Sequence, residues 1–291
     1  MQDESLGYRI DEHELGRTLV VTGAWTADAA RVLDRGDVDG LTLNYALGFS
    51  EPTLDFLDGW PIRRLNVLAR GLTDLEPIAR LRETLEELSV QAAPAASLDL
   101  GEAPRLRAVA GDWELIRWQL RLLDSLERLI TWRFDETTML PLSDYEQLQH
   151  LTIKEPLKLE SLLGAESLGS LRHFELDSAP LLTDVSAVRD LLGLEVLSLQ
   201  GARELFTLGQ LSQLTNLWHL GIADCGDVES LAPLVGLTRL RSLYAWGSTR
   251  VVDDDLSPIL GLSALADFRM RSRRRYSPSV EAVKAHLAVL D

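Results

Sequence analysis

Leucine returns every three residues along much of the chain, a spacing that neither an amphipathic helix nor a single strand produces. An amphipathic helix needs mixed steps of three and four, because its apolar stripe follows 3.6 residues per turn. A strand presents alternate residues to one face, so its apolar positions recur every two residues. The clearest stretch, residues 193–225, reads GLEVLSLQGARELFTLGQLSQLTNLWHLGIADC. It predicts a short strand followed by extended or 3₁₀ turns, in which each turn directs one apolar side chain inward.

The phrase Leu-x-x-Leu-x-Leu recurs along the chain at a nearly constant period. Its first positions are Val38, Ile62, Leu85, Leu106, Leu126, Leu148, Leu171, Leu194, Leu217, Leu240 and Leu265. The steps between them run from 20 to 25 residues and define about eleven units. One such unit cannot bury its own leucines, so neighbouring units must stack and share a core. The strands then form a parallel sheet.

Several units end in a similar phrase, as in LTDLEPIARL at 72–81, LTDVSAVRDL at 182–191 and VESLAPLVGLTRL at 228–240. These units resemble the internalin-like class of bacterial leucine-rich repeats over roughly residues 38–272. The resemblance implies an α/β leucine-rich-repeat solenoid with about eleven repeats and terminal caps. A curved parallel β-sheet would line its concave face, and 3₁₀ or extended turns its convex face. The resemblance, with the Arg-, Ala- and Leu-rich usage, indicates a bacterial source.

One position departs from that class. Where the class often has stacked asparagines, this chain has Ala46, Ala93, Ala179, Ala202, Cys225 and Ser248. We therefore expect the turn to be held by close packing of small residues or by water, rather than by an amide ladder.

A repeat array exposes its core at both ends and needs caps. At the first end, YRI and RTLVVTG are typical of a hairpin around DEHELG. Thr26 is then placed to cap a short helix that ends at Gly36. At the other end, SPSVEAVKAHLAVL predicts a helix with Ser277 as N-cap and Pro278 at its first position.

The second helix would present one apolar face, made by Val280, Val283, Leu287 and Leu290. We predict three regions: an N-terminal cap at 1–37, the repeat array at 38–272 and a C-terminal capping helix at 273–291.

Charge and composition narrow the possible partners. The formal net charge of −16 opposes general affinity for nucleic acid and leaves a basic protein partner open. The single cysteine excludes an internal disulfide framework, which agrees with a reducing compartment. No stretch approaches the roughly 18 apolar residues of a membrane span, and the acidic start MQDESLGYRIDEHELG lacks a signal-peptide pattern. We expect a cytoplasmic protein without membrane contact.

Motifs of catalysis are missing from the sequence. It contains no GxxxxGK[ST] phosphate loop, no GxSxG elbow and no HExxH. Cys225 could be a nucleophile, but its place in the turn favours a buried packing residue. We predict no catalytic residue, no cofactor and no metal, and expect that the chain is not an enzyme.

Histidine placement is less ordinary. His150, His173 and His219 all occupy the third position of their repeats, which points out from the sheet. His150 and His173 would lie side by side, about 4.8 Å apart, and His219 two strands further on. With the nearby carboxylates of Glu175, Asp177 and Asp224 they could ligate a divalent metal. The His173–His219 gap is long for one ion, so polar residues lining a binding face are favoured.

Aromatic and basic residues share that face. Trp113, Trp132, Tyr244 and Trp246 are predicted to point outward, with Tyr45 near the other end; the alternative is that neighbouring side chains cover them. Thr131 stands where an apolar residue belongs, so the strand of Trp132 could bulge. The run RMRSRRRYS at 269–277 would either protect an edge strand by charge or bind an anion or carboxylate.

These patterns favour a module that binds a partner protein through its concave face, an inhibitor or immunity-type binder being one version. The predicted partner-binding residues are Trp113, Trp132, His150, His173, His219, Tyr244, Trp246, Arg269 and Arg271. Two alternatives stay open: an enzyme with a metal or acid–base site at the three histidines, and an architectural subunit of a larger complex.

Overall fold

The computed structural model describes residues 7–13, 16–205 and 207–288, in which short strands alternate with 3₁₀ turns. The strands are β1 Tyr8–His13, β2 Gly16–Val21, β3 Gly40–Asn44, β4 Arg64–Leu68, β5 Glu87–Gln91, β6 Ala108–Asp112, β7 Arg128–Trp132, β8 His150–Lys154, β9 His173–Asp177, β10 Val196–Gln200, β11 His219–Gly221, β12 Asp227–Val228, β13 Ser242–Ala245, β14 Arg250–Val251 and β15 Asp267–Met270. The α-helices are α1 Ala27–Asp34, α2 Trp113–Leu120 and α3 Val280–Leu287. The 3₁₀ helices are Tyr45–Leu47, Glu76–Leu81, Leu140–Leu142, Ala165–Ser167, Ser186–Asp190, Gly209–Gln213, Ala232–Leu234 and Ser257–Gly261.

The first of two compact units spans Met1–Leu129. In it β1 and β2 form an antiparallel hairpin, with Tyr8 opposite Val21. β2 then pairs with β3 in parallel, and β4, β5 and β6 follow in chain order. Leu65 of β4 pairs with Leu88 of β5, which has the same place in the next repeat. The register therefore keeps every inward residue beside its equivalent.

The second unit spans Ile130–Asp291. Its main sheet runs in the order β7-β8-β9-β10-β11-β13-β15, and β12 and β14 form a separate two-stranded parallel ladder. One row across this sheet is made of the buried residues Leu151, Phe174, Leu197, Leu220, Leu243 and Phe268. Both units thus have the predicted repeat construction, a parallel sheet with leucine-rich turns.

The leucine periodicity describes the core correctly. The first position of the phrase is buried in all eleven repeats, including the Val38 and Ile62 variants. The 3₁₀ helix Gly209–Gln213 buries Leu211, and Leu208 and Leu214 on either side of it are also buried. The three-residue step therefore gives one buried side chain per turn, as predicted.

An acidic side chain starts the 3₁₀ turn in three of the repeats, among them those with the phrases at 72–81 and 182–191. Asp74, Asp184 and Asp255 each accept a hydrogen bond from the backbone amide two residues further on, at 2.9, 2.9 and 2.8 Å. Such a turn starts the following 3₁₀ helix, because the carboxylate satisfies an amide that has no other acceptor. The Ser186 amide also holds the pKa of Asp184 below its usual value.

The turn position where the class often has stacked asparagines is not packed in the same way in every repeat. Ala179, Ala202 and Cys225 are fully buried, as close packing requires. Ala46 and Ser248 are exposed and Ala93 is half-buried, and Thr249 takes the buried place beside Ser248. The Cys225 amide donates to Thr249 Oγ1 at 3.0 Å, and Thr249 Oγ1 donates to the Ile222 carbonyl at 2.5 Å. At Cys225 the Thr249 hydroxyl therefore holds the turn, in addition to the close packing of small residues that we expected.

The first cap helix starts as predicted. Thr26 is the N-cap of α1, and its hydroxyl accepts from the Ala29 amide at 3.2 Å. In the hairpin before it, Glu14 and Leu15 lie outside the described residues, as do residues 1–6. The predicted region boundaries at 37/38 and 272/273 remain predictions.

The second cap helix starts two residues later than predicted. The N-cap of α3 is Ser279, whose hydroxyl accepts from the Ala282 amide at 3.1 Å. The predicted cap, Ser277, is paired instead with the preceding turn: its amide donates to Asp254 and its carbonyl accepts from Leu256. The apolar face has the predicted Val280, Val283 and Leu287 buried, and Leu290 lies outside the described residues.

None of the helices in the described part of the chain combines the length and apolar character that a bilayer crossing requires.

Candidate binding surface

The three predicted histidines lie in one row on the outward face of the second unit. His150 pairs with His173, His173 with Val196, and Val196 with His219. The histidines are half-buried, while Val196 between them is only 4% exposed. The predicted two-strand gap between His173 and His219 is therefore filled by an apolar side chain rather than left open.

His150 and His173 stack on each other. Their ring centroids are 4.5 Å apart with an interplanar angle of 17°. Within residues 7–13, 16–205 and 207–288, no group of three or more His, Cys, Asp or Glu side chains is arranged to hold a metal ion. The stacked pair instead gives the surface a flat, polar, aromatic strip.

A compact cluster surrounds Tyr244 at the other end of the row. The His219 ring meets the Tyr244 ring edge-on at 4.9 Å, and the Arg269 guanidinium lies over it at 4.4 Å from the centroid. The Tyr244 hydroxyl donates to Asp267 Oδ2 at 2.7 Å. Arg269 Nε and Nη2 donate to both carboxylate oxygens of Asp267 at 3.0 and 2.8 Å. Residues of β11, β13 and β15 thus fix the tyrosine from both sides, and the carboxylate beside Arg269 is the chain's own.

Electrostatics agree with that geometry. Burial lowers the pKa of His219, although the charges of Glu175 and Asp267 act in the opposite direction. The hydrogen bond from Arg269 lowers the pKa of Asp267, with a smaller contribution from the Tyr244 hydroxyl. At neutral pH the cluster therefore contains a neutral imidazole and a paired carboxylate and guanidinium, and it presents little net charge.

Trp246 is the large exposed ring next to this cluster. It follows Ala245, the last residue of β13, and 58% of its surface is exposed. Its carbonyl accepts from the Asp224 amide at 3.0 Å, so the backbone that carries it is held to the neighbouring repeat. The ring is exposed on a fixed backbone, as an interface residue would be.

Trp132 also points outward. β7 runs from Arg128 to Trp132 without a bulge, because Thr131 takes the inward position and is fully buried. The Lys154 ammonium lies 6.0 Å from the centroid of the Trp132 ring. This pair lies at the β7–β8 end of the second unit's outward face.

The predicted orientation of Trp113 is wrong, and Arg271 lies just outside the strand on which it was predicted. Trp113 is only 3% exposed and is the first residue of α2, in the first unit. It has the same inward parity as Val109 and Gly111, and the chain turns into the helix at that residue, so the ring enters the core. Arg271 is exposed but lies one residue beyond β15, not on the strand.

Tyr45, expected near the other end of the face, is half exposed in a 3₁₀ helix that follows β3.

Two exposed tryptophans were missed by the sequence reasoning. Trp218 is 41% exposed and is the residue directly before β11, the second position of its repeat. Trp118 is exposed on α2, with the guanidinium groups of Arg117 and Arg121 at 5.1 and 4.5 Å from its ring. The signal for Trp218 was present, since the second position lies at the start of a strand and points away from the core.

Comparisons with known proteins identify the fold. No protein-family model matches the chain, and no curated protein sequence does. A leucine-rich-repeat protein of Leptospira interrogans resembles it with a TM-score of 0.59 and 16% identity, over 85% of this chain and 59% of that one. The functional domain of InlJ from Listeria monocytogenes, which includes a cysteine ladder, has a TM-score of 0.52 and 15% identity, over 87% and 64%.

Internalin C2 of Listeria monocytogenes is 23% identical over 67% of this chain and 76% of its own, with a TM-score of 0.44. This chain thus covers 59% and 64% of the Leptospira and InlJ chains, which is less than two thirds of either. The likeness to those two confirms the internalin-like leucine-rich-repeat fold predicted from the sequence. The cysteine ladder has no counterpart here, because this chain contains one cysteine.

That cysteine is not poised for chemistry. Cys225 is fully buried, and its thiol donates to the Leu199 carbonyl at 3.0 Å. Burial raises its pKa to about 12. A thiol in this state is a poor nucleophile, in agreement with the packing role expected from its position.

Proposed function

We propose that this protein is a binding module that recognises a partner protein through the outward face of the second unit's main sheet, β7-β8-β9-β10-β11-β13-β15. The observation that carries the proposal is Trp246, 58% exposed beside the fixed Tyr244 cluster. Tryptophan, tyrosine and arginine contribute most of the binding energy at protein interfaces. We include His150, His173, His219 and Trp132 in the surface and leave out Trp113.

Rigidity supports this assignment. Each outward side chain is carried by a strand whose inward neighbours are buried, and the Tyr244 ring is held by three other side chains. Little conformational entropy would be lost on binding, because the surface is ordered before the partner arrives.

Charge points to the kind of partner. A net charge of −16 would steer a basic protein toward the chain and raise the association rate. We propose a basic, cytoplasmic partner, and an inhibitor or immunity-type complex as the specific form. No catalytic step is assigned to the chain.

The test is a capture experiment followed by a titration. Tagged protein is used to capture partners from the source lysate, and a captured protein is purified and titrated against variants. Trp246→Ala should weaken binding about thirtyfold, equivalent to about 2 kcal/mol, with an unchanged melting temperature because the ring is exposed.

The matched control is Gln213→Ala, an exposed residue of the 3₁₀ helix Gly209–Gln213 on the turn side of its repeat. It should bind like the parent. If Gln213→Ala loses binding and Trp246→Ala does not, the interface lies on the turns and the proposed surface is wrong.

A further inference from the structure

A cleft of about 660 Å³ opens at the edge of the second unit where strands β10, β11 and β13 begin. Glu195, Trp218 and Arg241, the residues directly before those strands, line it. Hydrogen bonds join their backbones from one repeat to the next. The Trp218 amide donates to the Glu195 backbone carbonyl at 2.9 Å, and the Arg241 amide donates to the Trp218 carbonyl at 2.8 Å. The three side chains therefore stand on neighbouring, fixed strands.

Arg239, at the wall of the cleft, is held in place before any ligand binds. Arg239 Nη1 donates to Asn216 Oδ1 at 2.9 Å, and the Asn216 amide group donates to the Leu192 carbonyl at 3.0 Å. This chain of hydrogen bonds holds the Arg239 guanidinium at the cleft wall and leaves its other N–H groups for a ligand.

The second arginine has unused donors. Arg241 is exposed, and among residues 7–13, 16–205 and 207–288 its guanidinium has no hydrogen-bond or ion-pair partner. In contrast, Arg269 on the outward face is already bound to Asp267. Arg239 and Arg241 thus offer donors to an incoming group in the cleft, whereas Arg269 does not offer its own on the outward face.

The local charge is opposite to that of the chain. Two arginines and one glutamate line the cleft, whereas the whole protein has a net charge of −16. Trp218, 41% exposed, adds an apolar wall, and its ring lies 5.8 Å from the ring of His219. His219 in turn contacts the Tyr244 ring, so Trp218 links the cleft to the Tyr244 cluster.

We infer that this cleft binds the carboxylate of an Asp or Glu side chain of the partner protein. A guanidinium offers paired donors that match a carboxylate, and the Trp218 ring would cover the methylene groups behind it. The overall negative charge would attract a basic partner, and this positive cleft would fix its orientation. The inference rests on the proposed function, since it names a second contact of the same partner.

The first test uses the captured partner. Arg241→Gln should weaken binding about tenfold and reduce the dependence of affinity on salt, because one charge-assisted contact is lost. The matched control is Arg189→Gln, which makes the same charge change at an exposed residue of the 3₁₀ helix Ser186–Asp190. It should bind within about twofold of the parent.

The second test needs no partner. Glutarate, a small dicarboxylate, is titrated into the ¹⁵N-labelled full chain while the indole N–H resonances are followed. The Trp218 resonance should shift and saturate, with a Kd on the order of 10 mM. The shift should be absent in Arg241→Gln and with n-butylammonium as the ligand. A linear, unsaturated shift, or an equal shift in Arg241→Gln, overturns the carboxylate site.

The two proposals can fail separately. Partner binding that is weakened by Trp246→Ala but unchanged by Arg241→Gln overturns the cleft and leaves the proposed function in place. Binding that neither variant weakens overturns the proposed surface, and the glutarate titration then decides whether the cleft binds carboxylates at all.

Discussion

At His219, burial and the charges of nearby carboxylates shift the pKa in opposite directions. It packs against Trp218 and Tyr244, and burial lowers its pKa from 6.5 in spite of the nearby carboxylates of Glu175 and Asp267. The folded state therefore keeps the imidazole neutral at a pH where the unfolded chain already binds a proton.

This gives the free energy of unfolding a definite dependence on pH. The contribution of His219 is complete above pH 6.5, the unfolded value, and is lost as the pH falls from there through the lower folded pKa. His219→Gln should therefore show a smaller loss of stability than the parent between pH 7.5 and 5.5. Urea melts at several pH values measure it, with His286→Gln, an exposed histidine of α3, as the control. Parallel curves for His219→Gln and the parent would contradict the assignment.

At the scale of residues, the sequence predicts which side chains point outward wherever the Leu-x-x-Leu-x-Leu phrase is regular. His150, His173 and His219 point outward because their buried neighbours fix the parity of the strand. Trp113 was misplaced because it continues the inward parity of Val109 and Gly111, and the chain turns into α2 at that residue. The pairing of Arg269 with Asp267 depends on rotamers, which no periodicity specifies.

At the scale of elements, the exit from each strand has its own periodic conformation. Residues with positive φ directly follow or nearly follow the strands of the second unit at Arg133, Glu155, Ser178, Gly201, Asp224 and Gly247. This left-handed residue turns the chain away from the sheet at the same point in each repeat. Glycine tolerates that conformation without strain, whereas other residues do not.

Gly247 is needed for a second reason. Its φ is +73°, and a Cβ atom there would collide with the Asp224 carboxylate, which accepts the Ser248 amide at 2.9 Å. Gly247→Ala should destabilise the protein by about 1–3 kcal/mol. Chemical denaturation measures it, and Gly261→Ala, where a Cβ meets nothing within 4 Å, is the control.

A double-mutant cycle separates strain from collision. Combining Gly247→Ala with Asp224→Gly removes the carboxylate, so the cost of the alanine should fall. If the destabilising effects of the two changes were strictly additive, the contact between residue 247 and the Asp224 carboxylate would not contribute to the cost of the alanine.

Element boundaries were less predictable than element types. The turns that begin with Asp74, Asp184 and Asp255 follow from a short side chain that reaches an amide two residues away, which a sequence can indicate. The start of α3 could not be read in the same way, because Ser277 and Ser279 are equally suited to cap a helix. Only the pairing of Ser277 with the preceding turn decides between them.

At the scale of the whole molecule, stability depends on neighbouring repeats. Leu197 is fully buried and lies in register between Phe174 and Leu220 of the adjacent strands. Leu197→Asp should cost several kcal/mol, because a buried carboxyl group has no partner there. The loss should extend well beyond one repeat, because repeats stabilise each other through their interfaces.

Circular dichroism during urea denaturation measures this effect. Gln200→Asp, an exposed position on the same strand, is the control and should behave like the parent. An unchanged unfolding midpoint for Leu197→Asp, or a small separate transition for one repeat, would contradict the shared core.

The constant step between Leu171, Leu194, Leu217 and Leu240, 23 residues each time, has a consequence for how such a surface can evolve. An in-frame recombination that removed residues 194–216 would delete one period and leave every inward leucine with an equivalent neighbour. His173 would then stand directly beside His219, and Val196 would be gone. Whole columns of the surface can in this way be lost, duplicated or reshuffled in single genetic events, while the core that supports them is preserved.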